Sequence, residues 1–129
     1  MEIKNNKLGE TTMELFDYVR SSSAYRVRIC LNLKGLDYDA HAINLLEKQQ
    51  SSDQYKAMNP QGLVPALKDD GNLVTQSIAI CEYLEEKYPD TAATLPTDLA
   101  DKTHVKALAL SIACDIQPLN NLRILNYLV

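Results

Sequence analysis

Residues 64–77 read Val64-Pro65-Ala66-Leu67-Lys68-Asp69-Asp70-Gly71-Asn72-Leu73-Val74-Thr75-Gln76-Ser77, a hairpin that runs into a helix. The apolar runs 64–68 and 72–75 flank Asp70-Gly71, a pair that readily turns one antiparallel strand into the next. Pro65 has no N–H for a strand ladder, and it stands near the start of its strand, where proline is tolerated. From Ser77 the apolar spacing lengthens to three and four residues. Ile80, Cys81, Leu84 and Tyr88 fall on one side, and Glu82, Glu85 and Glu86 on the other, until Pro89 stops the helix.

Upstream, residues 13–19 are dense in apolar and aromatic side chains with Glu14 and Asp17 interleaved, a strand pattern. Arg20-Ser21-Ser22-Ser23 then offers hydroxyl caps before an apolar-periodic helix over 25–34. Val27, Cys30 and Leu31 mark one face of it; Ile29, Leu33 and Leu36 mark a second. A helix apolar on both faces is expected to be largely buried, and Gly35 suits its end. Residues 38–45 alternate as a second strand, 47–53 form a polar loop, 54–58 a short helix, and Asn59-Pro60-Gln61-Gly62 a turn. The order is β-α-β-α-β-β-α. A helical crossover joins parallel strands and the hairpin is antiparallel, so 13–89 is expected to be an α/β, thioredoxin-like domain, a mixed sheet with helices on both faces.

Residues 90–96 carry no period and read as a linker, and 1–12 as a loose arm. Beyond the linker, Val105, Leu108, Ala109, Ile112, Ile116 and Leu119 repeat at helical spacing, and the register continues to Val129. One helix over 98–129 would span roughly 45 Å at about 1.5 Å per residue. Asp115, Gln117 and Pro118 interrupt it, and Pro118 is expected to kink it. A stripe that long needs partner helices, so self-association through it is expected.

Across 129 residues the chain is 46% hydrophobic and 23% charged, which excludes a disordered or low-complexity chain. Apolar runs are too short to span a bilayer. Residues 1–12 lack an apolar signal core, so the three cysteines read as reduced thiols in a cytoplasmic protein. A net charge of −4 argues against nucleic acid or an anionic membrane as the main partner. His41 and His104 have no ligand spacing, and no metal site is expected.

Chemistry is sought at three loop-to-helix junctions. The first, 20–26, stands where a thioredoxin would carry Cys-x-x-Cys. Its serines either simply cap the helix or, with the positive helix end and Arg20, Arg26 and Arg28, form a seat for an anion or thiolate. The second is Val64-Pro65. A cis bond there would turn the Val64 N–H and C=O outward toward an extended peptide ligand, and the sequence leaves the isomer open. The third, Gln76-Ser77, either caps the next helix or seats a carboxylate. Cys30, Cys81 and Cys114 fall within helical periods and read as small core residues. Dithiol redox work is excluded unless a cysteine pair assembles in space.

Ser21-Ser22-Ser23-Ala24-Tyr25-Arg26-Val27-Arg28-Ile29 resembles the SSCxxRVRI signature of zeta-class glutathione transferases, the maleylacetoacetate isomerases. Asn59-Pro60-Gln61-Gly62-Leu63-Val64-Pro65-Ala66-Leu67, Gln76-Ser77-Ile78-Ala79-Ile80 and Ile116-Gln117-Pro118-Leu119-Asn120-Asn121-Leu122 resemble further family segments in the same order. The resemblance runs from about Glu14 to Leu128. Ser23 stands where the family has cysteine, and Tyr25 where it has an aromatic residue or histidine.

The resemblance implies glutathione as cofactor and isomerisation of maleylacetoacetate to fumarylacetoacetate in tyrosine breakdown, with small α-halo acids as further substrates. It implies catalysis by Ser21, with Ser22, Ser23 and Arg20. Glutathione would be bound by Ser21, Ser22, Ser23, Ala24, Tyr25 and Arg26, by Val64 and Pro65, by Gln76 and Ser77, and by Gln117, Asn121, Leu122 and Arg123. It further implies a homodimer, and makes 98–129 the first helix of an all-α second domain that the chain leaves incomplete. A non-catalytic glutathione-binding module is the alternative.

Overall fold

The computed structural model describes residues 13–128; the arm expected at 1–12 and the final Val129 lie outside the described residues. Strand β1 (Glu14–Asp17) leads into helix α1 (Ser22–Lys34), then β2 (Asp39–Ala42), the short helix α2 (Asp53–Met58), β3 (Ala66–Asp69), β4 (Asn72–Thr75) and α3 (Ser77–Lys87). The sheet has four strands in the order β2-β1-β3-β4. β1 and β2 are parallel, and both β3 pairings are antiparallel, with Leu15 opposite Ala40 and Leu67. This is the thioredoxin-like arrangement expected from the order of elements.

One face of the sheet presents Leu15 and Leu67, and α1 and α3 close over them with Val27, Leu31, Ile80 and Leu84; all six are fully buried. On the other face Phe16 stacks on His41 with ring centroids 4.9 Å apart and meets the buried Tyr55 of α2 edge-on. The strands are shorter than the apolar runs suggested, and Pro65 lies just before β3 rather than in it.

Four expectations need correction. Helix α1 starts at Ser22, three residues earlier than the apolar period, because the Ser21 side chain caps it. Its second face is not buried: Ile29 is 43% and Leu33 63% exposed. That face turns away from the sheet toward a groove that the helix over Leu99–Leu110 only partly fills. Glu85, expected on a solvated side, turns inward. The Lys34 side chain is 1% exposed and its ammonium lies 2.7 Å from the Glu85 carboxylate. Lys34 also donates to Thr91 Oγ1 and the Ala92 carbonyl, while the N–H and hydroxyl of Thr94 donate to Glu85. The linker without a period is therefore pinned to the domain by one ion pair.

The fourth correction concerns 98–129. Asp98 caps α4 (Leu99–Leu110), its carboxylate accepting from the Asp101 N–H at 3.0 Å. The chain then widens into π-helical turns over Ser111–Ile116 and tightens into a 3-10 turn over Gln117–Asn120 that contains Pro118. It straightens at Asn121 and resumes as α5 (Leu122–Leu128). The Asn121 side chain accepts from the Arg123 N–H at 2.8 Å and starts α5 afresh. The break falls where Pro118 was expected to kink the helix, and it divides the expected single helix in two. No residue of α4 or α5 is fully buried. Among the described residues no helix is long and apolar enough to cross a membrane.

Candidate functional site

A cleft of about 580 Å³ opens where the β1–α1 turn, the 45–64 segment that contains α2, and the segment after the π turns converge. Its floor is the start of α1. Ser21 is in extended backbone, and its Oγ accepts from the Ala24 N–H at 3.2 Å. An accepting cap leaves the hydroxyl proton free to donate outward. The first N–H groups of a helix have no partner inside it, and the helix end carries partial positive charge. Ser22 is exposed, and Ser23 is half-buried with its Oγ accepting from the Gln117 amide.

Arg26 joins two of the three junctions picked out from sequence, and ties both to the segment after the π turns. Its guanidinium donates to Ser77 Oγ at 2.5 Å and to Gln117 Oε1 at 2.8 Å. Since Gln117 also reaches Ser23, one chain of side-chain hydrogen bonds runs Ser77–Arg26–Gln117–Ser23. Ser77 is buried and accepts from Arg26, so its proton too remains available. Gln76 precedes α3 at φ 69° and ψ 115°, in the region that disfavours any side chain, and its amide donates to Gln61 at 3.1 Å. Such strain persists only where the surroundings impose it. The Val64–Pro65 bond is cis. Val64 lines the cleft and Pro65 is buried beneath it.

Of the residues singled out from sequence, Arg20, Ser21, Ser22, Ser23, Val64, Gln117, Asn121, Leu122 and Arg123 line the cleft. Ala24 is buried and contributes its N–H to the cap; Arg26, Gln76 and Ser77 stand behind the lining. Tyr25 is not brought to the cleft. It is 58% exposed, and the Arg28 guanidinium lies 5.3 Å over its ring. Arg28 is likewise withdrawn, because its 2.8 Å ion pair with Asp17 neutralises it. Sequence reasoning missed Gln50, Lys56, Gln61 and Leu63 on the far wall. Their only local signal was the Asn59-Pro60-Gln61-Gly62 turn. The cleft lining holds Arg20, Lys56 and Arg123 and no Asp or Glu, in a chain whose net charge is −4.

Residues 15–92 match the family model described as "Glutathione S-transferase, N-terminal domain". The chain belongs to this glutathione S-transferase family. Within the family, it is 48% identical over 119 residues to the maleylacetoacetate isomerase of Pseudomonas aeruginosa, covering 90% of this chain and 56% of that one. The solved holo structure of maleyl pyruvate isomerase, a bacterial zeta-class glutathione S-transferase, superimposes with a TM-score of 0.86 at 48% identity, over 89% of this chain and 54% of that one. Maleylacetoacetate isomerase from Methylobacterium extorquens AM1, solved with bound malonate and GSH, gives a TM-score of 0.84 at 41% identity over the same shares, 89% and 54%. The chain thus spans about half the length of the family members it matches. Among the described residues no group of His, Cys, Asp or Glu is arranged to hold a metal ion.

Proposed function

We propose that this chain carries the glutathione-binding half of a zeta-class maleylacetoacetate isomerase, with glutathione as cofactor and a small dicarboxylate as substrate, small α-halo acids being further substrates. On this reading residues 13–89 form the glutathione-binding domain, 98–129 begin an all-α second domain, and the enzyme is a cytoplasmic homodimer. The observation that carries it is the cleft: cations and a helix N-terminus without an opposing carboxylate, in an otherwise anionic chain. Glutathione and the substrate each carry two carboxylates and a net negative charge, and the net charge of the chain repels them. The local charges of Arg20, Lys56 and Arg123 must therefore dominate at the pocket.

The residues present fit glutathione. Ser77, with Gln76 and the start of α3, would seat its α-carboxylate, the backbone of Val64 would pair with its peptide portion, and Ser21 would face its sulfur. When bound, glutathione supplies the reactive thiol by which a cis carbon–carbon double bond is opened to rotation. A thiol of pKa about 8.5 is only a few per cent ionised near pH 7. Lowering that value by about two units takes roughly 2.7 kcal/mol of preferential thiolate stabilisation. The start of α1 contributes about 0.3–1 kcal/mol, rising to about 2 where partly buried. A hydrogen bond from Ser21 to a charged sulfur adds about 1.5–3 kcal/mol. Neither suffices reliably alone; together they do.

The test is Ser21→Ala, made in this chain and in a version joined to the helices of its longer relatives. Glutathione affinity should change little, because the carboxylate seat is untouched. Turnover should fall about tenfold to a hundredfold, corresponding to roughly 1.4–2.7 kcal/mol. The thiol pKa of bound glutathione, read as thiolate absorbance against pH, should rise with it. Unchanged turnover and pKa in Ser21→Ala, with turnover abolished in Ser23→Ala, would move the role along the serine run. Retention of glutathione without turnover in both versions would instead favour a non-catalytic binding module.

A further inference from the structure

Outside the cleft, the fold brings together two cysteines that lie far apart in the chain. Cys30 is buried on α1, and Cys81 is half-buried on α3. Both line a second cavity of about 240 Å³, a groove bounded by α1, α3 and α4, whose other walls include Ile29, Leu33, Val105 and Leu110. The two thiols lie close enough across the α1–α3 contact to act on each other as side-chain partners. We propose that Cys30 and Cys81 form a reversible disulfide across α1 and α3 when the chain meets a hydroperoxide.

The surroundings divide the two thiols into an attacker and a resolver. Cys30 faces the Cys81 thiol, the Thr94 hydroxyl, the Lys34 ammonium and, opposing them, the Glu85 carboxylate. Donation from Cys81 is the largest effect and draws Cys30 below the usual thiol range. Cys81 faces Cys30, Arg26 and Glu82; its donation to Cys30, reinforced by burial, holds its proton on. A thiolate is the form that attacks peroxides, and a nearby second thiol resolves the product. The groove is large enough for hydrogen peroxide, since a water molecule takes about 30 Å³.

The atoms balance as follows. The Cys30 thiolate attacks one peroxide oxygen, the O–O bond breaks, and hydroxide leaves, so that Cys30 becomes a sulfenic acid. The Cys81 sulfur then attacks the Cys30 sulfur, the S–O bond breaks, and the departing hydroxide takes the Cys81 proton. Two thiols and one hydrogen peroxide yield one disulfide and two waters. A low-molecular-weight thiol reverses the step by exchange. The product ties together the two helices whose N-termini hold Ser21 and Ser77.

The experiment treats the whole chain with hydrogen peroxide, alkylates the remaining thiols after unfolding, and maps peptides by mass. A linked Cys30–Cys81 peptide pair, two mass units below the reduced pair, is expected, with Cys114 still alkylated in the same molecules. A Cys114→Ser variant, which alters only an exposed position, should give the same link. In Cys81→Ser the reaction should stop at a Cys30 sulfenic acid that dimedone traps. If Cys30 and Cys81 both remain alkylatable in the folded Cys114→Ser chain, and in folded wild type while Cys114 oxidises, the proposal is overturned. The same holds if linkage occurs as readily in denaturant, since the fold would then contribute nothing.

Discussion

At Glu85 burial and ion pairing pull in opposite directions. Burial disfavours the charged carboxylate, but the Lys34 ammonium, the Thr94 hydroxyl and the N–H groups of Thr94 and Leu95 outweigh it and hold Glu85 at about 2, below its ordinary 4.5. A group whose folded pKa is depressed stabilises the fold above its unfolded pKa, and that contribution fades as pH falls through the folded value. Its stabilisation is thus complete above about pH 4.5 and disappears towards pH 2. Lys34→Met should lower stability at neutral pH by about 2–3 kcal/mol, because it strands a half-buried carboxylate. Urea unfolding should show the gap between variant and wild type narrowing as pH drops below about 4.5. A gap independent of pH would mean that lost packing, not charge, is the cause. The Ser21 cap was legible in sequence because it spans three residues. Lys34–Glu85 and the Arg26 bridges to Ser77 and Gln117 were not. Their partners lie 51 and 91 residues from Arg26, and only the packing of helices brings them together.

Between elements, turn geometry sets the walls of the cleft. Gly62 has φ +61°, and a Cβ there would stand 2.9 Å from the Gln50 carbonyl oxygen. Gly35, at the end of α1, has φ +65° but open space around it. Gly35→Ala should therefore cost about 1–2 kcal/mol from backbone conformation alone. Gly62→Ala should cost that and more, and should weaken glutathione binding by shifting the Gln50 and Gln61 wall. Denaturation midpoints of both variants, with glutathione titrations, check the pair; equal losses would show that the Gln50 contact yields freely. The hairpin and the order of the sheet were readable because Asp70-Gly71 and Pro65 act locally. The break after α4 was only half readable. A π turn holds more residues than an α turn, so apolar positions from Ile112 to Leu119 keep a three-to-four spacing while the backbone departs from it.

For the molecule as a whole, the apolar stripe beyond the first domain lacks internal cover. Leu99 is 77% exposed, Leu119 68% and Leu128 73%. Contiguous apolar surface of this kind drives association. The chain should sediment as dimers or larger species at micromolar concentration, and Leu108→Lys with Ile112→Lys should shift it towards monomer. A monodisperse wild-type monomer with a cooperative melt would show that the stripe is tolerated in water. A different consequence attaches to the π turns of Ser111–Ile116, which end where Gln117 begins its hydrogen bonds to Arg26 and Ser23. Each helical residue advances the chain by about 100° of rotation and 1.5 Å of rise. Removing one residue here would swing Gln117 out of phase with its partners, whatever the remaining side chains were. Cys114, Asp115 and Ile116 are exposed, so exchanging one for another leaves the phase intact. This stretch tolerates a change of spelling far better than a change in the number of letters.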